Sequence, residues 1–215
     1  MRHYAKSPRG FSLVELLAAM GIIAILGTIA IAVIGNVKES ARSTECITNL
    51  RTLHSGFSLY ATDKNMAIAS FDQGTDERHW HRLIWPYINI SKGSTYESWG
   101  DAYASASSSK TGWCYTCPSL EADISYVTYG INSNLNGKRW ESRADVILLA
   151  ETQGTSTNPQ PIQSLTGSAG NIDLRVATRH SGNTNILFED GHVDTRSAEE
   201  IPDRYTKPQL WGLQP

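Results

Sequence analysis

Phe11-Ser12-Leu13-Val14-Glu15-Leu16-Leu17-Ala18-Ala19-Met20-Gly21-Ile22-Ile23-Ala24-Ile25-Leu26-Gly27-Thr28-Ile29-Ala30-Ile31-Ala32-Val33-Ile34 is an apolar run that carries one charge, Glu15, in its first turn. About 20 apolar residues suffice to cross a bilayer as a helix, and this run has that length. An acid near the start of such a helix costs roughly 2.5 kcal/mol or more when unpaired, so Glu15 needs a partner. Ahead of the run, Met1 to Gly10 holds Arg2, Lys6 and Arg9 and no acid. That bias predicts a cytoplasmic leader with the following domain on the other side of the membrane. A secretory signal places a small-residue cleavage site after its apolar region. Here no Ala-x-Ala pattern directly follows Ile34, and the small residue, Gly10, lies in front.

The segment Arg9-Gly10-Phe11-Ser12-Leu13-Val14-Glu15-Leu16-Leu17 resembles the processing site of the type IV pilin and type II secretion pseudopilin superfamily. The resemblance implies that a prepilin peptidase cuts between Gly10 and Phe11 and methylates the new N-terminus. It implies further that the apolar helix stays as anchor and later joins a filament core. Glu15 is then expected to pair with the Phe11 amine of a neighbouring subunit during assembly.

Composition agrees with one modest head beyond a long helix. Of the 19 basic residues three lie in the leader, which holds none of the 21 acids, so the remainder has a net charge of about −5. No basic, aromatic-interleaved patch is present to follow a phosphate backbone, which argues against nucleic acid. Cys46, Cys114 and Cys117 fall where disulfides persist, and the odd count leaves one thiol over. Cys114-Tyr115-Thr116-Cys117-Pro118 lacks a second Cys-x-x-Cys for a zinc ribbon and lacks the strand-then-helix frame of a redox pair. The plainer reading is a structural disulfide: Cys46 with Cys117 is the favoured pairing, Cys114 with Cys117 comes next, and Cys46 with Cys114 stays open. The first would staple helix to head across about 70 residues, a loop worth several kcal/mol in the chain-entropy model.

From Asn36 to about Asp63 a second helical segment is expected, because Cys46, Leu50, Leu53, Phe57 and Tyr60 recur at alternating intervals of four and three. Gly35-Asn36 loosens the junction without a proline to end it. Arg78 to Ile88 reads as a short amphipathic helix with Pro86 near its end. His79 and His81 should diverge on it and make a poor metal pair. Ser91 to Gly112 and Glu151 to Gly170 read as surface loops. Between and after them, Tyr126–Ile131, Val146–Ala150, Ile172–Arg179, Thr184–Phe188 and His192–Thr195 are β-type runs. Asp190-Gly191 is a two-residue hairpin signal in which both positions take positive φ. Tyr205 to Pro215, with Trp211, is a packed extension.

His180, nine residues, then Asp190-Gly191 resembles the C-terminal H-X9-DG motif of a large group of prepilin-processed envelope proteins. His180, Asp190, His192 and Asp194 are candidates to gather near one sheet edge, where Ca²⁺ or another metal is conceivable. The plainer reading is that His180 bonds a turn and Asp190-Gly191 serves backbone geometry. Two departures from the family stand out. The apolar helix lacks the proline common in true type IV pilins, and no cysteine pair lies close to the C-terminus.

The expected fold is α+β and pilin-like: a leader over 1–10, a transmembrane and assembly helix over 11–35, an amphipathic helix over 36–65, and a head over 66–215 with an antiparallel sheet packed on the helix. The expected role is a pilin-like or pseudopilin structural subunit whose partners are prepilin peptidase, other pilin-like subunits and the membrane. The alternative is a membrane-anchored surface protein whose head binds a glycan, metal or protein. No nucleophile with a base, carboxylate pair or phosphate-binding loop appears at a specific spacing, so no enzyme and no required cofactor is expected.

Overall fold

The computed structural model describes residues 11–69, 79–89, 114–120, 127–153, 164–165, 176–202 and 205–213. The chain divides into two compact units, Met1–Ser40 and Ala41–Pro215. The leader over 1–10 and the loop over 91–112 lie outside the described residues, as does most of 151–170.

The first unit is helical. Helix α1 (Leu13–Asp63) begins here, and Leu13–Ile31 is long and apolar enough to cross a membrane. Its side chains from Leu13 to Ile31 are almost all exposed, the large apolar ones among them. That surface is stable in lipid or against other apolar helices and is costly in water. Gly35-Asn36 does not interrupt the α-helix.

In the second unit, Cys46, Leu50, Leu53, Phe57 and Ala61 on α1 are all buried and form one face at intervals of four, three, four and four. Tyr60 is only partly buried. Its ring meets Tyr87 edge-on at 5.8 Å, and Ala61 takes the deep position expected for it. Helix α2 (Trp80–Asn89) buries Trp80, Ile84 and Ile88 against α1. The approach is close at Gly56, where a Cβ would lie 2.6 Å from Ile88 Cγ1. Phe57 stacks between Trp80 and Trp140, with ring centroids 5.6 and 6.4 Å away.

The sheet contains β1 (Tyr129–Asn132), β2 (Ile147–Glu151), β3 (Ser164–Leu165), β4 (Asn183–Phe188) and β5 (Val193–Ser197), in the order β3-β1-β2-β4-β5. Pairs β1–β2, β2–β4 and β4–β5 are antiparallel, so the two C-terminal β-type runs Thr184–Phe188 and His192–Thr195 pair as a hairpin and Val146–Ala150 lies beside the first of them. β3 adds a short parallel edge on β1 inside a stretch expected to be loop. Of the expected strand over Ile172–Arg179, residues 172–175 are outside the described set, and the rest contributes one bridge, Thr152 to Val176. The architecture is α+β with the pilin-like order of a long N-terminal helix followed by an antiparallel sheet.

Both faces of the sheet are covered. Leu148, Leu149 and Leu187 join the core with α1 and α2, while Ile147, Ala150, Ile186 and Phe188 form a second core with Ile201 and Trp211. A register irregularity between Ile147 and Leu149 explains why two successive leucines share a core. Trp211 ends a short 3-10 turn, is buried, and donates its ring N–H to Pro202 O at 2.9 Å, so the C-terminal extension packs as expected.

Phe57→Ala removes the centre of the aromatic stack and is expected to destabilise the second unit by about 3–5 kcal/mol, whereas exposed Leu59→Ala should stay within about 0.5 kcal/mol. Urea unfolding of the two variants in the same detergent measures the contrast.

Candidate functional site

The start of α1 explains part of what Glu15 does. Ser12 stands before the first helical turn, whose N–H groups lack intrahelical acceptors. Its backbone N–H donates to Glu15 Oε2 at 2.8 Å, and the Glu15 N–H donates to Ser12 Oγ at 3.2 Å. This reciprocal pair is a capping box. The acid on an otherwise apolar helix therefore has a donor from its own chain, at the helix end where the macrodipole favours negative charge.

In the second unit the cysteine question resolves. Cys46 on α1 is bonded to Cys117, with Cα atoms 5.2 Å apart, and Cys114 remains a buried thiol. The turn carrying Cys117 is held by Cys117 N–H to Thr128 Oγ1 at 2.7 Å and by Asn49 Nδ2 to Thr116 O at 3.3 Å. Against this bond stands His180. Its Nε2 is 3.4 Å from Cys117 Sγ and 2.9 Å from Glu151 Oε1, and its Nδ1 is 3.5 Å from Ser119 Oγ. A carboxylate can only accept, so Nε2 carries the proton of that bond. Asn185 Nδ2 donates to the same Glu151 oxygen at 3.1 Å. Glu151 and His180 are both buried, and Glu151 Oε2 has no hydrogen-bond partner among the described residues. Desolvation draws the nearby Arg179 guanidinium below its ordinary value, while the negative charge of Glu151 works the other way.

The Asp190-Gly191 end of this stretch is built differently. Gly191 N–H bonds Phe188 O and Phe188 N–H bonds His192 O, which closes a three-residue loop, Glu189-Asp190-Gly191. Among these only Gly191 has positive φ, at 96°. The expected two-residue hairpin is thus a turn followed by a left-handed glycine. That glycine also allows contact, since a Cβ there would lie 2.7 Å from His54 Cε1. His54 Nε2 donates to Glu189 O at 3.1 Å. The Glu189 carboxylate is buried, and its oxygens accept from Glu141 N–H at 2.7 Å and Arg143 Nε at 2.9 Å. Asp190 Oδ1 accepts from the His192 N–H at 3.1 Å and from His192 Nδ1 at 2.6 Å. Burial acts to raise the Asp190 carboxyl, but the bonds and charge of His192 outweigh it and hold the group below its ordinary value.

The four residues proposed to share one edge therefore do not gather. His180 bridges Asn183 before β4, whereas Asp190 and His192 lie beyond its other end and Asp194 pairs with Arg196 on β5 at 2.7 Å. Six strand residues, about 20 Å of chain, lie between. His79 precedes α2, and its ring comes to 5.4 Å from that of His81 instead of diverging.

Residues 6–31 match the family model described as Prokaryotic N-terminal methylation motif. The match spans the leader boundary, Gly10-Phe11 and Glu15, and supports a type IV pilin-like substrate of prepilin peptidase. With the apolar helix it supports membrane anchoring. No curated protein and no solved structure matches the chain.

Glu151 and Glu189 were not among the candidates drawn from sequence. Glu151 closes the apolar run Val146–Ala150 and read as the first residue of a loop, yet it ends β2 fully buried. The usable signal was Ser12-x-x-Glu15, a capping-box spacing legible without any fold.

Gly191→Ala should cost more than Gly182→Ala. Both positions have positive φ, so each variant bears about 1–2 kcal/mol of backbone strain, but only the first also drives a methyl into His54. Denaturant midpoints of the two variants decide this. Asp190 contributes stability above its ordinary value of 3.8 and loses it as pH falls through its lower folded value. Asp190→Asn should thus be destabilised by about 1 kcal/mol or less at neutral pH, with the gap to wild type closing below about pH 4 in a pH-resolved melt.

Proposed function

We propose that the chain is a pilin-like structural subunit of the pseudopilin kind. It is cut by prepilin peptidase between Gly10 and Phe11, held in the membrane by Phe11–Ile34, and assembled through that helix into a type II secretion or type IV pilus-like filament. The observation that carries this reading is the methylation-motif match over residues 6–31, which covers the exposed apolar span Leu13–Ile31, whose one acid is Glu15. The basic leader orients the head outside the cytoplasm.

In the anchored subunit the capping box engages Glu15 Oε2, and the second carboxylate oxygen is available to accept another donor. The α-amine of Phe11 that cleavage creates is such a donor. Across a subunit contact in low dielectric it gives a charge-assisted bond that sets the axial step of the assembly. Repetition of one heterologous contact then generates a helical filament. The role is structural, and no catalytic group enters it.

Mass spectrometry of the native protein is expected to find a methylated N-terminus at Phe11, with part of the protein in a sheared surface fraction. Glu15→Ala should still be cut, while its assembled fraction falls at least about tenfold, the effect of losing about 1.4 kcal/mol per contact. A native chain that still begins at Met1, or a Glu15→Ala chain that assembles as well as wild type, overturns the proposal.

A further inference from the structure

Cys46, Cys117, Glu151 and His180 each offer a metal-ligating atom, these atoms all lie within 4.8 Å of one another, and all four residues are buried. They come from α1, the 114–120 turn, the end of β2 and the turn before β4, so the tertiary fold and not a local motif assembles them. We propose that, when Cys46 and Cys117 are thiols, this cluster binds one Zn²⁺ ion.

The donor set is that of a closed structural zinc site: two sulfurs, one imidazole and one carboxylate. With zinc bonds of about 2.0–2.3 Å, tetrahedral ligand atoms lie roughly 3.3–3.8 Å apart, so on reduction the two sulfurs must part to about 3.8 Å while the widest separation shrinks by no more than about 1 Å. Thiolates select zinc over Ca²⁺ or Mg²⁺, which prefer oxygen. The independent pointer is Glu151. Among the described residues its Oε2 is buried without a hydrogen-bond partner, whereas both oxygens of a second buried carboxylate, Glu189, are engaged. A buried acceptor left unmet costs about 1–3 kcal/mol, more when charged, and a cation bound by this carboxylate would offset that cost. Outer contacts are also in place. Ser119 Oγ faces His180 Nδ1 and Asn185 holds Glu151 Oε1, the kind of support that orients metal ligands.

The disulfide and the metal exclude each other. A dithiol reductant gives up two electrons and two protons, becomes a disulfide itself, and leaves Cys46 and Cys117 as two thiols. Zinc binding then releases both thiol protons. The His180 ring proton moves from Nε2 to Nδ1, toward Ser119, so that Nε2 ligates. Zn²⁺ with two thiolates, one carboxylate and a neutral imidazole has a net charge of −1, and the Arg179 guanidinium beside Glu151 offsets it. Every newly made chain has reduced thiols before its disulfide forms, so the dithiol form precedes the bond in time. Zinc would then hold α1 to the turn, β2 and the β4 approach with the same topology that the disulfide later fixes.

The test uses the full chain in detergent, oxidised or reduced by a phosphine without oxygen. Zinc is titrated against a chromophoric chelator, and Co²⁺ serves as a spectroscopic substitute. The reduced chain is expected to take one equivalent of zinc and to give Co²⁺ the visible bands of a tetrahedral site with two thiolates. The oxidised chain takes none. Glu151→Gln and His180→Ala should each weaken zinc binding more than about tenfold, and Cys114→Ser should leave stoichiometry and spectrum unchanged. If reduction unfolds the chain, recovery of its circular dichroism with one equivalent of zinc supports the site, and failure to recover overturns it. If a variant does not fold, the Co²⁺ spectrum of the unsubstituted chain decides. Equal zinc uptake by both redox forms, a thiolate count other than two, or wild-type affinity in either folded variant overturns the assignment.

Discussion

The bond between Cys46 and Cys117 is the constraint on which the second unit turns. It joins residues 71 apart in sequence, and in the chain-entropy model closing a loop of that size is worth about 4 kcal/mol. It sets the 114–120 turn against α1, where Asn49 reaches the Thr116 carbonyl, and Thr128 Oγ1 accepts from the Cys117 N–H. Thr128 in turn bonds Tyr115 O and Thr152 N–H, so the joint leads directly into the paired ends of β1 and β2 inside the sheet. His180 can be buried there because Glu151 accepts its proton. Removing either partner would take from the other its shortest hydrogen bond in a dry core.

The first unit answers a different constraint. Its apolar surface demands lipid or other helices, and Glu15, the one acid of the span Leu13–Ile31, would be a defect in either setting if it stood alone. The Ser12 and Glu15 exchange of hydrogen bonds lowers that cost inside one chain, before any second subunit is present.

Where local pattern decides structure, the sequence was informative. The interval of four and three from Cys46 to Phe57 located the buried helix face, and the Val146–Ala150 and Thr184–Phe188 runs located the central strands, because apolar periodicity is a local property. The favoured pairing of Cys46 with Cys117 rested on Cys46 occupying that same face. Tertiary pairing was less accessible. Glu151 looked like the start of a polar loop because burial of a carboxylate depends on His180 and Asn185, about 30 residues away in sequence. β3 has no signal of its own and exists by pairing with β1. Asp190-Gly191 announced a turn correctly but not its length, since the loop is closed by Phe188 and His192 outside the dipeptide. The proposed gathering of His180 with Asp190 failed because β4 lies between them.

That intervening strand gives the nine-residue interval a mechanical meaning. At one end His180 touches the sulfur bridge to Cys46, and at the other Gly191 and the Glu189 carbonyl clasp the ring of His54. Cys46 and His54 are eight residues apart on the same helix, about 12 Å along its axis. A rod pinned at one point can still roll and slide, while a rod pinned at two such points can do neither. Adding or deleting one residue within β4 would turn its alternating side chains to the opposite face and release one pin. The spacing therefore works as a gauge, fixing both the roll and the axial position of this part of α1 against the sheet.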